Sequence, residues 1–339
     1  MNDLNLTKRA RAKYFTLAFL YPLIDLGSVN NKKYWSAWHC SRILKLTHYE
    51  KTTKINGLYC KQRFCTVCNR IRTALYIKSY GGWIDKNKAP FFLTLTTRNV
   101  SGYELRKRII HGQKFFREFN KSCTRNSDRN KYLRKIEVTF NVKDTTYHPH
   151  YHIVCEDKKT GQRIRRAWME FWCDEANTNG QNLKKCDLNA KIELFKYFTN
   201  VIKRKGTKYE FEPIAFDLII SALDRVRIFQ PVGIKKFKES EQLKLFSENI
   251  DDLLHETEFF YDDKLGNWTD FDHKTLLTSY KPSDKFIEMC KSIGKDDRDM
   301  SEMTKTHSPF HKIDKKELNL DAKQIEEQFK NLNNLYNGT

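Results

Sequence analysis

Three observations place this chain in the α+β class, with a central antiparallel β-sheet covered by helices. Two alternating stretches, RKIEVTF (134–140) and HPHYHIVC (148–155), are separated by only a short polar loop, NVKDTTY, which is a β-hairpin signal. A third alternating stretch, FFLTLTT (91–97), precedes them. Between and after these strands lie segments with apolar residues at helical spacing, so hairpins order the sheet and helices cover it.

Taken in order, the N-terminus begins with KRARAK followed by YFTLAFLYPLI. This mimics a signal peptide, but Pro22 interrupts the apolar part, Asp25 follows directly, and no A-x-A-like cleavage site is evident. No run approaches the roughly 20 apolar residues that span a bilayer. The segment therefore reads as an ordered piece of a soluble, cytoplasmic protein with no membrane partner. Next comes YCKQRFCTVCNRIR, which sets Cys60, Cys65 and Cys68 in sequence, with Cys40 twenty residues upstream. Four thiolates including one C-x-x-C pair can close a tetrahedral zinc site that substitutes for core in a short segment. His39 or His48 in place of Cys40 is an alternative fourth ligand. Nine cysteines in all, irregularly spaced, read as a reduced compartment rather than a disulfide framework.

In FFLTLTT, Phe91, Leu93 and Leu95 share one strand face and Thr94 and Thr96 the other. ELRKRIIHGQKFFREFNK (104–121) puts Leu105, Ile109, Phe116 and Phe119 on one helix face. RRAWMEFWCDEAN reads as a further helix, and NAKIELFKYFTNVIKRK (189–205) as a longer one. FDLIISALDRVRIFQPVG suggests a short helix and a turn, and the tail alternates acidic loops with a terminal helix, AKQIEEQFKNLNNLY. Three regions follow: an N-terminal region with the Cys-rich element (1–88), a central core (89–238) and an acidic, partly helical C-terminal extension (239–339).

Charge divides the chain. Residues 1–239 carry 48 basic and 21 acidic side chains, whereas 240–339 carry 14 and 21. A body this basic points to a polyanionic partner, most simply nucleic acid.

The candidate chemistry lies in the hairpin. His148, His150 and His152 alternate along one strand and so project to one face, with Pro149, Tyr151 and Ile153 facing the core. In the preceding strand Ile136, Val138 and Phe140 are apolar, leaving Glu137 and Thr139 opposite. With the turn centred in KDTT, Glu137 falls opposite His152 and Thr139 opposite His150. Such a mixed imidazole–carboxylate set suits Mn2+ or Mg2+ better than a closed structural zinc. On helix 189–205, Leu194, Phe195, Phe198, Val201 and Ile202 form the apolar stripe. Glu193, Lys196, Tyr197, Asn200, Lys203 and Arg204 form the polar side, with Glu193 and Tyr197 neighbours at i, i+4. Ionising a tyrosine near neutral pH costs about 4 kcal/mol, which a divalent cation at a phosphate can help to offset. A phenolate could then attack phosphorus and leave a phosphotyrosine, with Glu193 as a base.

FFLTLTTRN, then HPHYH on a strand, then ELFKY on a helix resembles the three ordered motifs of small-plasmid rolling-circle replication initiators of the HUH endonuclease superfamily. The subgroup in question carries one tyrosine with a glutamate four residues before it. The resemblance spans roughly residues 38–238. It implies a nuclease core with an RRM-like palm and a divalent metal on His150 and His152, with Glu137 the candidate third ligand. It also implies that Tyr197 nicks one strand at a plasmid's double-strand origin, single-stranded or hairpin DNA, and stays on the 5′ phosphate. Glu193 would then activate water at termination. His148 is left as a third ligand, a group behind the ligands or a DNA contact. The family often places a lysine three residues after the tyrosine; here Asn200 stands there, and Lys196 or Lys203 would take over its phosphate contact. Thr96, Arg98, Arg204, Arg63 and Arg70 complete the candidate DNA contacts. The acidic extension would recruit a host helicase or limit nonspecific DNA binding. Two rivals remain: an HUH-type single-strand transposase, and a non-enzymatic zinc protein that binds nucleic acid.

Overall fold

The computed structural model describes residues 3–49, 53–125, 130–195, 202–205, 208–236 and 253–294. In chain order these form α1 (Asp3–Asp25), α2 (Asn31–Trp38), β1 (Ile43–Tyr49), β2 (Thr53–Gly57) and α3 (Thr66–Tyr76). A π-helical turn (Ile77–Gly81) leads into α4 (Gly82–Lys86), β3 (Phe91–Thr96), α5 (Gly102–Arg125), β4 (Tyr132–Asn141), β5 (Thr146–Cys155) and α6 (Lys158–Trp172). Then come β6 (Asn182–Lys185), α7 (Leu188–Phe195), β7 (Ile202–Lys205), β8 (Lys208–Phe211), α8 (Pro213–Ala222), β9 (Phe229–Val232), β10 (Leu253–Asp262), β11 (Asn267–Thr269) and α9 (Asp284–Gly294). The mixed α+β class with antiparallel sheets is as expected from the alternating stretches.

Two compact units result, each drawn from distant parts of the chain. One comprises the described parts of 1–72, 202–213 and 239–319, the other those of 73–201 and 214–238. In the first unit, α1 buries Leu6, Ala10, Leu17, Leu20 and Leu23. The apolar run that mimics a signal peptide is thus a core helix, ended by Gly27 at φ 57°, a conformation glycine adopts without penalty. Among the described residues no helix is long and apolar enough to cross a membrane. A four-stranded sheet, ordered β11-β10-β1-β2, completes this unit. Its central pairing joins Ile43 to Phe260 and Thr47 to Glu256, so the region after 250 supplies sheet to the N-terminal part of the chain.

In the second unit the sheet order is β6-β3-β5-β4-β9, antiparallel throughout. One face buries Leu93, Leu95, Ile136, Val138, Tyr151 and Ile153. Leu105, Ile109 and Phe116 of α5, with Ile164 and Trp168 of α6, are buried against that face; Phe116 lies 4.9 Å from the Tyr151 ring. The other face is apolar at one end only. There Phe92, Leu133 and Val154 join Ala190, Leu194 and Phe195 of α7, together with Ile84 and Phe229. Where the apolar cluster stops, the same face turns polar.

Several sequence expectations are corrected. α6 starts well before RRAW, because Asp157 caps it by accepting from the Thr160 N–H at 2.7 Å. The long helix expected over 189–205 does not run through: residues 202–205 are strand β7, paired with β8. Only Gly206 and Thr207 join these strands, a connection length typical of hairpins, and Lys203 stands opposite Glu210. Residues 196–201, with Lys196, Tyr197 and Asn200, lie outside the described residues, as does the terminal helix expected after 321. The turn expected after α8 contains an edge strand, β9, whose Pro231 disguised it.

Candidate functional site

The turn between β4 and β5 decides which side chains meet. Asn141 accepts from the Lys143 N–H through its side-chain oxygen at 3.2 Å, and Thr145 adopts φ 49°, so the turn closes over 142–145. The register is therefore two residues from the one expected: Glu137 faces His150, Thr139 faces His148, and Lys135 faces His152. A shift by two keeps every side chain on its face, so the ligand set survives the correction.

On that face Glu137, His150 and His152 bring one ligand atom each within 4.8 Å of one another. Glu137 Oε2 lies 3.4 Å from His152 Nε2 and 3.8 Å from His150 Nε2. The other ring nitrogen of each histidine is held from behind. Thr94 Oγ1 is 3.5 Å from His152 Nδ1, and the His148 carbonyl is 3.2 Å from His150 Nδ1. Fixing Nδ1 orients Nε2 towards the carboxylate, the arrangement metal-binding imidazoles require. Phe92 stacks on the His152 ring at 5.4 Å, so the apolar cluster backs the site.

Electrostatics fit the same use. Burial opposes ionising Glu137, but the His152 hydrogen bond and the Lys135 and His150 charges outweigh it and hold the carboxyl at about 2. His150 is pushed down to about 4, by burial first and by His152 next. A carboxylate ionised over a wide pH range beside a neutral imidazole is a donor set ready for a divalent cation. Two nitrogens and a carboxylate leave coordination positions open, unlike a closed structural site.

His148 does not join this group. Its ring meets the His150 ring edge-on at 5.5 Å, burial lowers its pKa, and its Nε2 is buried without a hydrogen-bond partner among the described residues. Glu193, on α7, carries its carboxylate to 3.9 Å from His152 Nε2 at the rim of the group. Lys135, which sequence reasoning passed over, is buried between them. Its Nζ is 3.1 Å from Glu137 Oε2 and donates to the Glu193 carbonyl at 2.8 Å. Strand periodicity could have found it, since Lys135 and Glu137 are two apart and share a face.

The remaining candidates are spread out. Thr96 Oγ1 donates to the Gly180 carbonyl at 3.1 Å, and Arg98 is exposed beside it. Lys203 and Arg204 are on β7. Arg63 and Arg70 belong to the first unit, where Arg70 is exposed on α3.

In the first unit the sulfurs of Cys40, Cys60, Cys65 and Cys68 converge within 4.8 Å of one another. Neither His39 nor His48 belongs to this group; His48 stacks on His255 instead, at 4.2 Å. Cys40 and Cys60 are each followed by a residue in the left-handed region, Ser41 (φ 52°) and Lys61 (φ 58°). The Lys61 bend turns the Gln62 N–H to Cys60 Sγ at 3.4 Å, the Cys60 N–H reaches Cys40 Sγ at 3.5 Å, and the Ser41 N–H bonds the Leu58 carbonyl at 2.7 Å. Cys40 is pulled down by hydrogen bonds from Cys60, Cys65 and Cys68. Four converging thiols with N–H groups already turned towards them are suited to a tetrahedral metal ion.

The Glu–His–His group thus stands on the sheet with a second carboxylate at its rim, in a strongly basic chain. The family model described as replication protein (Rep_1) matches residues 51–274, and the chain belongs to that family. This bears out the resemblance to rolling-circle plasmid replication initiators. A curated "Protein rep" of Staphylococcus aureus is 34% identical over 140 residues, covering 37% of this chain and 61% of the relative. Another, of Streptococcus pneumoniae, is 29% identical over 174 residues, covering 47% of this chain and 53% of the relative. A third, from Bacillus, is 29% identical over 152 residues, covering 39% and 47%. The chain thus spans about half the length of the curated relatives it matches. No solved structure matches.

Proposed function

We propose that this protein initiates rolling-circle replication of a plasmid as a site-specific DNA nickase and strand transferase. The observation that carries the reading is the Glu137–His150–His152 group with Glu193 at its rim, in a member of the replication protein family. Glu137, His150 and His152 would hold Mn2+ or Mg2+, which supplies charge neutralisation at the scissile phosphate when bound. Tyr197 is the nucleophile: its phenolic oxygen forms a bond to phosphorus while the bond to the 3′ oxygen breaks. The 3′ oxygen leaves as a hydroxyl that primes synthesis, and the 5′ phosphate remains on the tyrosine. The phenol's proton passes through solvent to the leaving 3′ oxygen, and Glu193 accepts the proton of the water that finally removes the adduct.

The substrate is the single-stranded or hairpin form of a double-strand origin. Lys196, Asn200, Lys203, Arg204, Thr96 and Arg98 would contact its backbone, with Arg63 and Arg70 as further contacts. The Cys40–Cys60–Cys65–Cys68 cluster would hold structural Zn2+, and the protein would act in the bacterial cytoplasm, where a host helicase is a fitting partner. Incubation of a supercoiled plasmid carrying the origin with protein and Mn2+ tests the proposal. Open circles should form with wild type and not with His150→Ala or His152→Ala. Origin binding without any nicking would favour the non-enzymatic zinc protein instead.

A further inference from the structure

Lys135 has a place in this site that the three-motif pattern does not include. Its side chain is only 2% exposed, on the strand position directly opposite His152. A buried ammonium is costly unless its protons are used, and this one joins two otherwise separate pieces of the site. One is the ligand carboxylate, 3.1 Å away at Glu137 Oε2. The other is α7, through the Glu193 carbonyl at 2.8 Å. Glu193 lies on α7 (Leu188–Phe195), and its backbone carbonyl takes a proton of the Lys135 ammonium.

We propose that Lys135 is a positioning residue with two jobs: it anchors the turn that carries Glu193, and its charge weakens divalent-cation binding at Glu137, His150 and His152. The first job follows from the bond to the Glu193 carbonyl. Without it, the Glu193 backbone loses a fixed point on the sheet, and the Glu193 carboxylate loses its place 3.9 Å from His152. The second follows from charge. Lys135 neutralises Glu137 in the absence of metal, and it opposes a second cation on the same carboxylate.

This inference rests on the reading of the histidine site as a divalent-metal centre. The test measures Mn2+ affinity of the full chain by titration calorimetry, together with separate rates of nicking and adduct removal on an origin oligonucleotide. Lys135→Met should bind Mn2+ at least about tenfold more tightly, because a like charge beside the ligand is gone. Adduct removal should slow at least about tenfold, with a smaller effect on nicking. Lys135→Arg, which keeps the charge, should stay close to wild-type Mn2+ affinity. A lysine that merely supports the fold would weaken metal binding when removed, so unchanged or weaker Mn2+ binding by Lys135→Met overturns the inference. If Lys135→Met does not fold, Lys135→Gln removes the charge while keeping a donor, and the same affinity criterion applies. Wild-type protein that binds no Mn2+ would overturn the metal reading itself, whereas wild-type binding unaltered by loss of the Lys135 charge overturns only this inference.

Discussion

Replacing Glu137 by glutamine should cost stability in a pH-dependent way whose size follows from the site. The carboxyl is 8% exposed and lies within 4 Å of Lys135, His150 and His152. Holding it at about 2 rather than 4.5 contributes about 3 kcal/mol to the metal-free fold near neutrality. The sign follows from proton binding: a lowered carboxylate pKa means that the unfolded chain takes up a proton which the fold refuses. The contribution is therefore whole above about pH 4.5 and is lost as the pH falls towards 2. Near pH 3, about 1.4 kcal/mol of it should remain. The assay is amide hydrogen exchange in β4 and β5, with metal removed by chelator, comparing wild type and Glu137→Gln. Their difference should shrink by roughly half between neutrality and about pH 3. A difference of the same size at both pH values would refute the electrostatic reasoning and leave only a packing effect.

Further outcomes follow from other parts of the molecule. Glu193→Ala should nick at a rate within about threefold of wild type while adduct removal slows at least about tenfold; equal loss of both steps would contradict its role at termination. Metal analysis should find one zinc per chain, and Cys65→Ser or Cys68→Ser should abolish it and lower the thermal midpoint, whereas Cys155→Ser should leave the zinc in place. Arg70→Ala should weaken DNA binding and reduce the salt slope by about 0.7–0.9, the loss of one phosphate contact; an unchanged slope would remove Arg70 from the interface.

Much of the second unit could be read from the sequence because its signals are local. The alternation of FFLTLTT and HPHYHIVC gave strands, and Leu105, Ile109, Phe116 and Phe119 gave the buried face of α5. Period two also grouped Glu137 with the histidines, since a face assignment tolerates a register error of two. What local pattern could not supply was pairing. Nothing near Ile43 indicates that its partner is Phe260, and the acidic residues of β10, such as Glu256 and Glu258, made that strand look like loop. β10 carries charge on one face because Glu256 is exposed and pairs with Lys45 there. The apolar spacing after Phe195 suggested one helix to residue 205, but Ile202–Lys205 finds strand partners in Lys208–Phe211, and pairing overrides propensity. Lys135 was hidden by its type: a lysine in a strand is ordinarily a solvent residue, and only the register with His152 and the approach of α7 make it internal.

Tyr197 is the residue on which the proposed chemistry turns, and mass spectrometry of the DNA adduct tests it most directly. Wild-type protein is incubated with Mn2+ and an origin oligonucleotide, digested, and searched for the peptide that bears a 5′ phosphate-linked nucleotide. The nucleotide should be on Tyr197, and Tyr197→Phe should yield no adduct while still binding Mn2+ and DNA. An adduct on another residue, or one that persists in Tyr197→Phe, would contradict it.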